Sequence, residues 1–448
     1  MTDSNPNLDP PSTSTPTPSP SPSPSPAFAQ STESPRHQSF AALQSRGFQA
    51  QLGTFVFAMM ADNIEHVISY WVMWEKFHSA MLGGFAVISH WLPFLLFSVP
   101  AGALAERFDP RRLIQIGMAM FMATSLGWAY LFYTDSLQMW QAMGLLILHG
   151  CSGVLWHTSS QMLLYDVVPA AQLPSAIRLL ATGRYLSLLV GPAVGGVILM
   201  LLGDKAGMLL NACFYLPNFI WLINAPYGPA FRLEPAVTRR AIKGLADILQ
   251  TCRDISGNVT ILSMLILAAA ASFFVGNSYQ AQMPGFVQDL APGNHGVVYS
   301  ALLAADALGA LIAGLVLEGK GLFPTTAKTA LTLACLWCLA LGSFALTHHY
   351  ALALVLLVLA GFLELSFSAM TQTIVQLNAP VNMRGRVIGL YNMSSLGMRA
   401  GSGLVVGLSG GLIGIHFALA GASLILMGVV AWVYIAVVRK HLGLAKTE

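Results

Sequence analysis

Charged side chains are scarce in this sequence: Asp, Glu, Lys and Arg make up 9% of its 448 residues, against 55% hydrophobic residues. Soluble domains carry roughly 25% charge, so a water-exposed globular domain is excluded and an integral membrane protein follows. Cysteine is also sparse. Its five copies, Cys151, Cys213, Cys252, Cys335 and Cys338, lie mostly in apolar stretches and form no disulfide framework. Cys335 and Cys338 have the spacing of a redox or metal pair, but no His or acid stands beside them, and they read as helix filler. A basic start followed by an apolar core and a small-residue cleavage site is missing, so no secretory signal is expected. Phosphate-loop, nucleophile-elbow and metal signatures are missing as well. No enzyme, catalytic residue, metal ligand or cofactor is therefore expected, and the net charge of +3 implies no nucleic-acid partner.

What the chain has in abundance is long apolar runs. A hydrocarbon core takes about 20 residues per helix, and about twelve such runs fit between Phe48 and Val438. Membrane barrels show short alternating segments instead, so the expected fold class is an all-α membrane protein of twelve helices. The expected spans are 51–74, 83–104, 113–133, 139–165, 177–202 and 207–224, then 258–279, 297–317, 326–347, 350–374, 386–410 and 413–437. Residues 1–46 form a Pro/Ser-rich tail that cannot bury a core and is expected to be disordered. Residues 47–224 form a first six-helix bundle, 225–257 a polar linker, 258–438 a second bundle and 439–448 a terminal tail.

The placement of the few charges orients the chain. The short loop 102–112, Gly-Ala-Leu-Ala-Glu-Arg-Phe-Asp-Pro-Arg-Arg, packs Arg107, Arg111 and Arg112 between two apolar runs. Arg384, Arg386 and the arginines of the linker fall on the same side, while of the 22 Lys and Arg only Lys76 and Lys205 fall on the other. The positive bias puts both termini in the cytoplasm.

Pairs of matching residues recur at a near-constant offset of about 212 residues: Gly102 and Glu106 with Gly314 and Glu318, Pro169 with Pro380, Gly191 and Gly195 with Gly403 and Gly407. Two homologous six-helix halves are implied. The loop pattern Gly-x-x-x-acid-Arg followed by paired arginines resembles the signature between helices 2 and 3 of the major facilitator superfamily. It departs from that signature in having Glu106 for the commoner aspartate, Asp109 where many members have glycine, and Pro110 inside the basic cluster. Asp62, Asp166-Val-Val-Pro169, Gly191-Pro192-x-x-Gly195-Gly196 and Arg384-Gly-Arg386-Val387 are similar to the subgroup of the enterobactin exporter and the transmembrane secretion effectors. The helix 5 string also resembles the motif of drug/proton antiporters, although Ser187 and Arg178 stand where its upstream glycines would be.

The resemblance implies a secondary transporter that alternates access by rocking its halves. Helices 1, 4, 7 and 10 would line a central cavity, and the rim residues Gly102, Glu106, Arg107, Arg111, Arg112, Arg384 and Arg386 would gate it. Charge at mid-membrane costs roughly 2.5–3.5 kcal/mol per residue on insertion scales, so Asp62, Glu65, Asp306, Glu364, Arg184 and Arg399 should face water or one another. Asp62, Glu65 and His66 share a helix face, and His66 and His149 join the cavity candidates. Glu364 reads as a proton-coupling or substrate residue, with a structural ion pair as the competing reading. Arg184 and Arg399 either neutralise the acids or bind an anionic group on the substrate. Single histidines such as His90, His157 and His416 read as satisfied interior residues, since no histidine pair at metal spacing has an acid nearby in sequence.

The expectation is a proton-driven exporter of a small amphiphilic organic compound, monomeric, in a bacterial cytoplasmic membrane, with the proton gradient as its energy source. Import of a metabolite and a receptor that transports nothing are the rival readings.

Overall fold

The computed structural model describes residues 39–231, 242–276, 278–290 and 295–444. All regular structure among them is helical. The first half contains α1 (Arg46–Phe77), α2 (Ala80–Arg107), α3 (Pro110–Tyr133), α4 (Met139–Val167) and α5 (Leu173–Asn224). α5 is two helices in one run: Gly203 breaks it with φ 75 and ψ −178, a backbone that glycine reaches without a Cβ clash. The linker carries α6 (Ala246–Ile255). The second half contains α7 (Val259–Phe274), α8 (Ser278–Leu290), α9 (His295–Lys320), α10 (Ala327–Leu346), α11 (Tyr350–Asn378), α12 (Arg384–Asn392), α13 (Arg399–Ile413) and α14 (Ile415–Leu444).

Seven of these stretches are long and apolar enough to cross a membrane by length and composition, against twelve expected runs. The shortfall has physical causes. One of the seven, Ala170–Phe231, holds both members of α5. α1 carries Asp62, Glu65, Glu75 and Lys76, which depress its hydropathy. The expected run 258–279 is broken where Gly276 takes φ 48, and 386–410 is interrupted by a π-helical turn, Met393–Gly397.

Two boundaries differ from expectation. Residues 39–46, expected in the disordered tail, pack on the bundle: Ala41 and Ala42 are buried, the Ala42 amide donates to Ser175 Oγ at 3.1 Å, and Ser45 caps α1 by accepting from the Phe48 amide. Residues 1–38 lie outside the described residues, as do 232–241 of the linker and the end of the second tail from 445. The linker also folds where it is described, since α6 buries Asp247, Thr251 and Ile255.

The halves meet along a seam of small residues on α2 and α12. A Cβ added at Gly102 would strike the Gly385 backbone, one at Gly385 would strike Gly102, and one at Gly389 would strike Ser98. Small residues let two helices approach backbone to backbone. Apolar clusters span the same boundary, joining Ala105, Leu113 and Met162 to Ile388, and Tyr185 to Ala310, Ala313 and Leu365. The opposite end carries few charges: Lys76 Nζ lies 2.8 Å from Asp135 Oδ1 in the α3–α4 loop and its hydrogen bond holds that carboxyl below its usual range.

Candidate transport cavity

The six mid-membrane charges expected from sequence divide into two acidic groups and two arginines around a cavity between the halves. Its main chamber, about 250 Å³, is walled by Asp62 and His66 of α1, His90 and Trp91 of α2, Trp156 of α4 and Gln280 of α8. A smaller chamber of about 80 Å³ lies between α4, α5, α7 and α11. His157, Arg184, Tyr185, Glu364, Leu396 and Arg399 line both. The lining thus extends beyond helices 1, 4, 7 and 10 to α2 and α5.

In the first acidic group, Asp62 and Glu65 sit on one face of α1, as their spacing of three implies. The side chain that joins them is His149 of α4, placed 2.7 Å from Asp62 Oδ1 through Nε2 and 2.8 Å from Glu65 Oε1 through Nδ1. His66, expected on the same helix face, lies farther off, with Nδ1 3.9 Å from Asp62 Oδ2. Glu65 is buried and accepts at 2.5 Å from Ser125 Oγ, which Asn211 Nδ2 approaches to 3.1 Å. The helix 5 glycines hold α1 in place. A Cβ on Gly191 would press on Asn63 and one on Gly195 on Ile64 and Val67, whereas Gly196 has open space. Pro192 lies inside the same helix.

The second acidic group belongs to the other half. Tyr279 Oη lies 2.9 Å from Asp306 Oδ2 and 3.4 Å from Glu364 Oε2, and Gln280 Nε2 donates to Asp306 Oδ2 at 3.1 Å. Asp306 Oδ1 is buried without a partner among the described residues. Asp306 and Glu364 are 58 positions apart on different helices, and nothing in their spacing announces the pair; neither Tyr279 nor Gln280 stood out in sequence. A π-helical turn, Met393–Gly397, precedes Arg399; such turns are frequent at functional sites.

Arg184 and Arg399 have no carboxylate within ion-pair distance among the described residues. Arg399 lies over the Trp91 ring at 5.1 Å and donates through Nε to the Ser395 carbonyl at 3.2 Å; Arg184 lies 5.8 Å from the Tyr185 ring. Glu364 shares both chambers with the two guanidiniums.

The rim charges are brought together unequally. Glu106 at the end of α2 accepts from the Arg386 amide at 2.8 Å and from its guanidinium, and Arg386 Nε donates to Asp247 of α6 at 3.1 Å. The repeat partner Glu318 does the equivalent work on α9, accepting from Arg178 Nε of α5 at 2.7 Å and from Ser175. Arg384 stacks on Tyr165 at 4.0 Å, and the Tyr165 hydroxyl donates to the Gln376 carbonyl at 2.8 Å. Arg111 braces the linker instead, binding Asp109 and the Ala225 carbonyl. Arg112 donates to Gln115 at 3.1 Å, and Arg107 is exposed. Asp247 was missed because a lone acid in a polar linker reads as solvated surface.

A two-half helical bundle with ionisable groups in an interior cavity and charged clasps at one rim is the architecture of a secondary transporter of the major facilitator superfamily. The family model of the transmembrane secretion effectors matches residues 37–445, and the chain belongs to that family. The staphyloferrin A transporter of Staphylococcus aureus (strain NCTC 8325 / PS 47) is 23% identical over 248 residues, 55% of this chain. The match spans 60% of that relative's length. Among solved structures, the Escherichia coli fucose:proton symporter FucP aligns with TM-score 0.67 at 12% identity, over 88% of this chain and 98% of its own. The human organic anion transporter TETRAN aligns with TM-score 0.61 at 12% identity, over 86% and 99%. These likenesses show the fold, and the family and fold are those of transporters, not enzymes, which work without a cofactor.

Proposed function

We propose that this protein is a proton-coupled exporter of a small amphiphilic organic compound bearing an anionic group. The observation that carries the reading is the pair Arg184 and Arg399, which face one cavity with no carboxylate partner among the described residues while Glu364 lines the same space. A guanidinium presents a fork of donors suited to a carboxylate or similar group, and aromatic walls at Trp91, Trp156 and Tyr185 suit an apolar body. Asp306 and Glu364, gathered on one tyrosine, supply the proton site. The family's description as secretion effectors and the helix 5 string favour export. On this reading the twelve expected spans are completed by α1, α4, the two members of α5, α7 with α8, and α12 with α13. Both termini and the Glu106 rim then face the cytoplasm of a bacterial cell, and the clasped rim is the outward-facing state.

The test is accumulation of a labelled panel of anionic and neutral amphiphiles in cells with and without the protein, with and without a proton uncoupler. Lower internal levels on expression, abolished by the uncoupler and confined to anionic compounds, are expected. Raised internal levels would make it an importer, and no change for any compound would leave a non-transporting membrane protein.

A further inference from the structure

Four ligand-bearing side chains converge on the wall of the main chamber, at a point the proton and substrate reading leaves unused. Asp62 and His66 come from α1, His90 from α2 and His149 from α4, and one ligand atom of each lies within 4.8 Å of all the others. The imidazole centroids are 4.8 Å apart for His66 and His149, 4.9 Å for His66 and His90, and 5.7 Å for His90 and His149. We propose that Asp62, His66, His90 and His149 form a binding site for a divalent transition-metal ion such as Zn²⁺ or Co²⁺.

Charge is the first reason. Among the described residues the ion-pair partners of Asp62 and Glu65 are histidines only. Neither carboxylate has a Lys or Arg within ion-pair distance among the described residues, so a bound cation adds to the balance the imidazoles supply. The second reason is an unsatisfied imidazole. His90 Nδ1 is buried with no hydrogen-bond partner among the described residues, an arrangement that costs free energy when nothing is bound. The third is the support behind the cluster. Glu65 holds His149 by Nδ1 and is itself held by Ser125, so the His149 ring is oriented with Nε2 towards Asp62. A carboxylate behind a ligating imidazole is the usual way such a ring is fixed and made more basic.

The donor set decides the class of ion. Three imidazoles and one carboxylate suit Zn²⁺, Co²⁺ and Ni²⁺ and are poor for Mg²⁺ or Ca²⁺, which take oxygen. With metal–nitrogen distances of about 2.0–2.1 Å, a tetrahedral site has ligand atoms about 3.4 Å apart. The cluster therefore closes by side-chain rotation alone, the Asp62–His149 pair opening slightly and the longer separations shrinking by up to about 1.4 Å. Phe121 lies 4.9 Å from the His149 ring and Trp91 4.5 Å from His90, an apolar surround that strengthens ion–ligand attraction.

The test uses the full chain with any affinity tag removed, in lipid nanodiscs. Equilibrium dialysis against Zn²⁺ and against Co²⁺, read by elemental mass spectrometry, should give one ion per chain. The double variant His66→Gln/His90→Gln should lose at least tenfold in affinity, Glu65→Gln roughly ten- to hundredfold, and His348→Gln/His416→Gln, which alters the histidines near Asp289, nothing. A readout on unmutated protein guards against misfolded variants. Saturating Zn²⁺ should protect His66, His90 and His149 from carbethoxylation, located by peptide mass spectrometry. Absence of stoichiometric binding of either ion, with the cluster holding protons alone, overturns the proposal, as does protection at His348 and His416 instead. Binding is measured at equilibrium, so its failure leaves the export reading standing, and a failed transport assay leaves this one standing.

Discussion

Glu364 and Asp306 share one tyrosine hydroxyl, and a hydroxyl has a single hydrogen to donate. Tyr279 can satisfy one carboxylate at a time, so a proton that arrives at or leaves this group changes which acid it holds. Glu364→Gln keeps size and hydrogen bonding but cannot release a proton. In proteoliposomes the variant is expected to exchange substrate down its own gradient and fail to concentrate it under a pH gradient; full gradient-driven transport would pass the coupling role to Asp306. Arg399→Ala should weaken binding of an anionic substrate roughly ten- to hundredfold, the scale of about 1.5–3 kcal/mol for a hydrogen bond to a charged group, and leave a neutral analogue nearly unaffected. Titration calorimetry on purified protein distinguishes the two, and equal losses for both compounds would show that Arg399 only supports the fold.

Helices α2 and α12 are held by two devices of different physics. Backbone contact at Gly102 and Gly385 requires the absence of side chains, while Glu106, Arg386 and Asp247 form a charged clasp that ties the linker helix α6 into the same closure. Arg386 is fully buried, and removing one partner of a buried ion network costs about 3–5 kcal/mol. Arg386→Ala should therefore shift the molecule away from the clasped state by two orders of magnitude or more. Spin labels at the exposed ends of α2 and α11 should read the change as a longer distance population. Gly102→Val should do the same by steric contact, with no dependence on salt. An unchanged distance distribution in both variants would mean the rim is not what holds the halves together.

For the whole molecule, the proposed topology, argued from the charge bias, has the clasped rim facing the cytoplasm. In a background free of the five cysteines, Ser256→Cys beside α6 should resist a membrane-impermeant maleimide in intact cells, and Ser136→Cys in the α3–α4 loop should react. The reverse pattern would invert the orientation. The pseudo-repeat has a mechanical meaning at this scale. Glu106 of α2 grips α12, and its counterpart Glu318 of α9 grips α5 through Arg178 and Ser175. Each half thus contributes one acid and one basic partner to a two-point closure.

The sequence by itself determined the class of solvent, the helical architecture and the two-half plan, because hydropathy and repeat spacing are local or periodic properties that survive without coordinates. It also singled out Asp62, Glu65, Asp306, Glu364, Arg184 and Arg399, since charge in an apolar run carries a cost wherever the run folds. Only the tertiary structure decided their partners. His149 sits 84 positions from Glu65 and Asp306 lies 27 from Tyr279, and no spacing rule relates residues on separate helices. The same limit hid the convergence of His66, His90 and His149 on Asp62, and the burial of Asp247 against Arg386. Which charges meet is fixed by how helices cross, and those crossings depend on where glycine lets two backbones touch.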